Sequence, residues 1–174
     1  MVSITPSAHG GNMDTPEVRA GTTLYLPVSV DGAQLAVGDG HCRQGEGESC
    51  GVAVEAAMDT VVAVDGVKGA ATLWPRLQSD THLMSLGSAR PLEDAFRISQ
   101  VGLVQWLGAA WALDRLDAYQ LLTQAVEAPV ANVVDPNYTF VSKLRKDRLS
   151  ARELYGGAHG RLRQLGREYL AGRG

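Results

Sequence analysis

The stretch THLMSLGSARPLEDAFRISQVGLVQWLGAAW, residues 81–111, decides the fold. Thr81–Leu86 reads as a short strand closed by Gly87. From Ser88 onward the period changes. Ser88 can cap a helix, and Pro91, Glu93 and Asp94 suit its first turn. Phe96, Val101, Val104, Leu107 and Trp111 then recur at roughly helical spacing. Strand signals precede this point and helix signals dominate after it. That order predicts an α+β fold: a mainly antiparallel β-sheet or sandwich core, then two helices and a basic C-terminal helix.

Working back from residue 81, Ala70–Leu77 reads as a strand whose Pro75 favours an edge or a bulge. Thr60–Val64 and Cys50–Met58 alternate as two more strands. Thr22–Val30 and Ala33–Asp39 predict a β-hairpin turning at Asp31-Gly32, and Gly40–Ser49 a polar glycine loop. Residues 1–21 read as loop. Working forward, a second helix begins near Asp114–Asp117, as in a capping box, and ends before Pro129. Ala131–Val134 and Phe140–Leu144 are short strand candidates, and Asp135-Pro136-Asn137 is a turn between them. Residues 150–171 read as a basic helix frayed by Gly156, Gly157 and Gly160.

A length of 174 residues suits one domain over residues 1–149 with a helical tail over 150–174. Apolar residues make up 45% and aromatics only 6%, so the core should be aliphatic. Charge is unevenly placed. Residues 1–141 hold 7 Lys/Arg against 16 Asp/Glu, whereas residues 142–174 hold 9 against 3. Nothing aromatic interleaves with the basic tail, so it is expected to pack on an acidic body rather than bind nucleic acid or a membrane. No signal peptide or membrane-spanning run is read, and two cysteines make no disulfide scaffold; a reducing cytoplasm is expected.

The chemistry concentrates in two segments, His9-Gly10-Gly11-Asn12-Met13-Asp14 and Gly38-Asp39-Gly40-His41-Cys42-Arg43-Gln44-Gly45-Glu46-Gly47-Glu48. They flank the predicted hairpin, whose outer ends should converge. Together they offer His, Asp and Glu on flexible backbone, the raw material of a hydrolytic or metal site. Asp39 and His41 are two apart at a strand end, and period two puts both on one face. Such a pair can be two ligands of one metal, or a His and its carboxylate orienter. Glu48, in a loop between glycines, could act as a general base, and ranks above Glu46. Asn12 could hydrogen-bond an amide or an oxyanion, and Asp14 could bind metal or tie down its loop.

Other residues read as structural. Glu55 belongs on the wet face of its strand. Cys42 faces away from His41 and is poorly placed as a nucleophile. His82 and His159 lack partners, and Trp106 and Trp111 suit a core or interface. No Walker A loop, no G-x-G-x-x-G opening a helix and no HExxH occurs.

HGGNMD, GTTLYLPV and AVGDGH through QGEGESCGVAVE resemble the acetamidase/formamidase family, as, more weakly, do Asp117–Leu122 and Val133–Pro136. The similarity runs over roughly residues 9–145. It implies hydrolysis of short linear amides with release of ammonia, by an assembly of identical subunits; lactam hydrolysis is a related activity. Family members are about twice this length with HGGNMD near their middle, so the resemblance is to their C-terminal half. Either the chain is a homo-oligomer or a partner chain supplies the other half. On this reading a divalent metal, zinc, is held by Asp39 and His41 with help from Asp14 or His9. Glu48 is then the base, and Asn12 or a loop N–H serves the oxyanion. A short relative that binds a small ligand without catalysis is the alternative.

Overall fold

The computed structural model describes residues 3–172. Seven strands and three α-helices follow in order: β1 (Thr23–Tyr25), β2 (His41–Arg43), β3 (Val54–Glu55), β4 (Arg76–Gln78), β5 (His82–Ala89), α1 (Leu92–Trp111), α2 (Arg115–Ala125), β6 (Val130–Asn132), β7 (Tyr138–Arg145) and α3 (Ala158–Ala171). The main sheet is antiparallel with strand order β1-β4-β5-β7-β6, and β2 and β3 form a separate two-stranded ribbon. The fold is thus α+β. Its spine is β5 against β7, in register from His82↔Arg145 to Ala89↔Tyr138.

Period-two alternation along this spine builds two different faces. Leu83 and Leu144 turn toward Leu103, Trp106 and Leu107 of α1 and Leu122 of α2. Each such leucine, fully buried, contributes about 1.5–3 kcal/mol. Met84, Leu86 and Val141 turn the other way, toward Leu77, Ala131 and Met13. Helix α1 lies unusually close to β5. A Cβ on Gly87 would sit 2.3 Å from the Ala95 carbonyl oxygen and 2.7 Å from the Ser99 nitrogen. Only a residue without a side chain permits that approach. Ser99 and Ser142 hydroxyls close the seam at 2.7 Å.

Among the described residues, no helix covers the second face. It is covered by the N-terminal segment, which is held by two side-chain amides. Asn132 Nδ2 donates to the Met13 carbonyl at 3.0 Å, and Asn137 Nδ2 to the Pro6 carbonyl at 2.9 Å. This arrangement fixes where Asp14 stands.

Several sequence expectations are corrected. The hairpin over residues 22–39 does not form. Thr23–Tyr25 pairs with Arg76–Gln78 instead, and residues 26–40 carry no regular strand. Only the turn survives, with Ala33 N–H bonding the Val30 carbonyl at 3.1 Å. Pro27 interrupts the run, and Val28, Val30, Leu35 and Val37 meet no facing layer and are exposed. Cys50–Met58 contracts to Val54–Glu55, and Thr60–Val64 is not a strand. Ser88 lies inside β5 and bonds Thr139 at 3.0 Å; Pro91 takes the N-cap position of α1. Asp114 does cap α2, accepting from the Leu116 N–H at 2.8 Å.

The tail packs on the body. Leu154 joins the core beneath α1, and His159 of α3 is buried between Thr23 Oγ1 (2.8 Å) and Asp80 Oδ1 (3.0 Å). Arg163 also pairs with Asp80, at 2.6 Å, and Arg161 with Asp65, at 3.0 Å. His159 is therefore partnered from two strands' ends, which its sequence neighbours did not reveal.

Candidate functional site

Two triads of ligand-type side chains form among the described residues. Asp39, His41 and Glu55 make one, and Asp14, Glu48 and Asp135 the other; within each, one ligand atom per residue lies within 4.8 Å of the rest. The expected convergence of the two motif segments therefore occurs, but not by a hairpin. The glycine loop is instead hooked to the sheet. Gly47 N–H bonds the carbonyls of Val130 (2.8 Å) and Ala131 (3.1 Å), and Val133 N–H returns to the Gly47 carbonyl at 3.1 Å. Asn132 holds Met13 beside the same strand. Asp14, Glu48 and Asp135 thus meet at β6, the last strand of the sheet.

In the first triad, His41 and Glu55 are directly paired across β2 and β3. His41 Nε2 lies 3.2 Å from Asp39 Oδ1 and 3.3 Å from Glu55 Oε2. Its Nδ1 meets Gln44 Oε1 at 3.1 Å. Burial disfavours charge on the ring, but the Gln44 hydrogen bond and the Asp39 and Glu55 carboxylates outweigh it and hold the pKa above the usual histidine value.

The second triad is acidic and crowded. Burial, reinforced by Asp135 and Asp39, pushes the Asp14 carboxyl up to about 6. Burial and then Asp14 push Glu48 up to about 7. Asp135 is raised as well, again mainly by burial, although hydrogen bonds from Asn12 and Asp14 oppose the rise. His41 lowers both Asp14 and Glu48, so the two triads share one electrostatic field.

Asn12, Asp14, Asp39 and Glu48 all have left-handed φ, between 37° and 64°. Asn and Asp enter that region more readily than other side chains, and Ala33, Gln34, Ala112 and Tyr155 share it away from the triads.

Of the six residues singled out from sequence, Asp39 and His41 meet in one triad and Asp14 and Glu48 in the other. Asn12 bonds the Ile4 carbonyl at 3.0 Å and also bears on Asp135. His9 joins neither triad; its ring lies over Gly11. Sequence reasoning missed Asp135, which reads as a turn residue before proline, and Gln44, which sits unremarked inside the motif. It put Glu55 on the wet face, where Glu55 indeed is exposed, yet its carboxylate reaches His41. Cys42 and Cys50 are free and exposed. A cavity of about 240 Å³, lined by Trp74, Arg76, Ser85, Val101 and Gln105, lies on the α1 side of the sheet and touches neither triad.

Residues 1–147 match the acetamidase/formamidase family. The chain belongs to that family. Over 72 residues it is 42% identical to a formamidase of Methylophilus methylotrophus, a match spanning 38% of this chain and 17% of the relative. Over 69 residues it is 39% identical to an acetamidase of Mycolicibacterium smegmatis, spanning 38% and 17%. Among solved structures, an acetamidase of Yersinia enterocolitica superposes with TM-score 0.85 at 46% identity, covering 87% of this chain and 46% of that one. A predicted acetamidase/formamidase of Thermoanaerobacter tengcongensis superposes with TM-score 0.83 at 30% identity, covering 90% and 51%. The chain thus spans about half the length of these structures. No helix among the described residues is long and apolar enough to cross a membrane.

Proposed function

We propose that the site hydrolyses the C–N bond of small linear amides, such as formamide or acetamide, and releases ammonia with the help of a divalent metal, zinc in our reading. One observation carries the proposal. Glu48, 6% exposed and with a pKa of about 7, stands beside a His–Asp–Glu triad in the same field. A carboxyl with that pKa accepts a proton from water and returns it to a leaving amine at neutral pH.

The donor set fits a metal. His41 Nε2 is a buried atom with no hydrogen-bond partner, and two carboxylate oxygens face it. Mixed nitrogen and oxygen ligands suit zinc among other divalent ions. An ion held there would polarise the amide carbonyl and make water more acidic. The chain's own residues do the rest. Glu48 moves the proton, burial and then Asp14 and Asp135 keep its pKa high, and Asn12 or a glycine-loop backbone N–H is what we assign to the oxyanion. Exposed thiols at Cys42 and Cys50 suit the cytoplasm.

A second reading is favoured by the segment between β1 and β4. Val28, Val37, Val52, Val54, Met58, Val64 and Val67 are all exposed there, an aliphatic surface of the kind that other polypeptide covers. On this reading the catalyst is an assembly, either a homo-oligomer or a pairing with a chain corresponding to the rest of the longer relatives. The unassembled chain then only binds a small amide-like ligand.

The test is ammonia release from formamide, acetamide and a γ-lactam, with bound metal assayed on the same sample. Activity that drops by roughly 10²–10⁴ in Glu48→Gln supports the proposal. Undiminished activity in Glu48→Gln refutes it. Activity that appears only in an oligomeric fraction selects the second reading.

A further inference from the structure

Gln44 stands between the two triads and belongs to neither. Its Nε2 donates to the backbone carbonyls of Asp14 and, at 3.2 Å, of Ala131. Carbonyl oxygens only accept, so the NH₂ end of the amide faces them and Oε1 faces the other way. Oε1 lies 3.1 Å from His41 Nδ1. An amide oxygen also only accepts, so Nδ1 carries the hydrogen. The remaining ring nitrogen, Nε2, is buried, hydrogen-bonded to nothing, and set 3.2 and 3.3 Å from two carboxylate oxygens. When Nε2 is unprotonated its lone pair is repelled by both carboxylates, and a cation there, a proton or a metal ion, is attracted by all three groups.

We infer that Gln44 is a positioning residue whose amide locks His41 with Nδ1 protonated, leaving Nε2 to join Asp39 and Glu55 as the three protein ligands of a divalent metal. This rests on the metal-assisted reading above and adds the ligand atom, the third ligand and the group that orients them. Hydrogen bonding at the far nitrogen is how a histidine is committed to one metal-binding atom. The same amide also ties the Asp14 carbonyl to the His41 ring. Gln44 thereby sets the acidic triad and the histidine triad in one register without touching a reacting atom.

The test uses the full chain, stripped of metal, with ¹⁵N-labelled histidine, titrated with zinc alone and read from the ring nitrogens. His41→Asn assigns the His41 signals. Zinc is expected to shift Nε2 while Nδ1 keeps its hydrogen. Gln44→Met is close to glutamine in size and lacks the amide. It should bind zinc roughly 10–100-fold more weakly and lose the exchange-protected Nδ1–H signal. Zinc appearing on Nδ1 of the unaltered protein overturns the inference, and that result needs no variant to fold. Equal zinc affinity through Nε2 in Gln44→Met also overturns it, as does an unaltered protein that takes up no zinc. Zinc bound as expected but no ammonia released from any amide leaves the inference standing and removes the hydrolytic reading.

Discussion

Replacing Glu48 by glutamine separates what the site costs the fold from what it does for chemistry. Glu48 is held at a pKa of about 7, against 4.5 for an ordinary glutamate, by burial and then by Asp14. Between those two values the folded protein binds a proton that the unfolded chain does not. Stability from this group is therefore fully present below pH 4.5 and is lost as pH rises through about 7. At roughly 1.4 kcal/mol per pH unit the full penalty at pH 8 is about 3 kcal/mol. Water reaches part of the cluster and Asp14 titrates with it, so about 1–2 kcal/mol is the working figure. The glutamine amide of the variant carries no charge at any pH and escapes the penalty. Metal-free Glu48→Gln should therefore be more stable than the parent at pH 8, by about 3–6 °C in Tm for a chain of this size. The two should converge at pH 4.5. Urea or thermal unfolding in the presence of a chelator measures both points. A variant less stable than the parent at pH 8 without metal would show that Glu48 is held by favourable partners rather than by crowding, and the reasoning would fail.

Two other perturbations probe the scaffold. Gly87→Ala places a methyl 2.3 Å from the Ala95 carbonyl oxygen, so α1 must move off β5. A loss of about 2–3 kcal/mol in urea unfolding is expected, and a neutral result would mean the seam yields easily. Burial lowers the His159 pKa below 6.5, against an opposing hydrogen bond to Asp80. The ring charges more readily when α3 is released, so its contribution is present above pH 6.5 and lost as pH falls through the folded value. The protection of α3 amides relative to their intrinsic exchange rate should fall below pH 6.5, opposite in sign to the acidic site. His159→Gln should abolish that fall.

Much of this was legible in the residues. The switch of period near Ser88 located β5 and α1 but not the buried face of the helix: Phe96 and Val101 of the helical repeat are exposed, whereas Ser99, Gln100 and Gly102 are buried against the sheet. The hairpin was not legible. Val28, Val30, Leu35 and Val37 alternate as a strand does, but alternation records a buried face without saying which polypeptide buries it. The two motif segments singled out Asp14, Asp39, His41 and Glu48, which the structure gathers into the two triads, because acids and histidine on glycine-rich loops are seldom placed for packing. Asp135 and Gln44 stayed hidden for opposite reasons. Asp135 imitates an ordinary turn before proline. Gln44 has no charge to draw notice, and its part comes from carbonyls contributed by residues 30 and 87 positions away.

The hook of Gly47 onto β6 bears on solubility as well as on chemistry. β6 is the terminal strand of the sheet, and its Val130 carbonyl and the Val133 N–H would otherwise be open to any passing chain. The loop that aims Glu48 fills those positions itself. Whatever loosens the loop, whether loss of an ion or a substitution among the glycines, also uncovers a sticky edge. Aggregation and inactivation of this protein should therefore begin at the same hydrogen bonds.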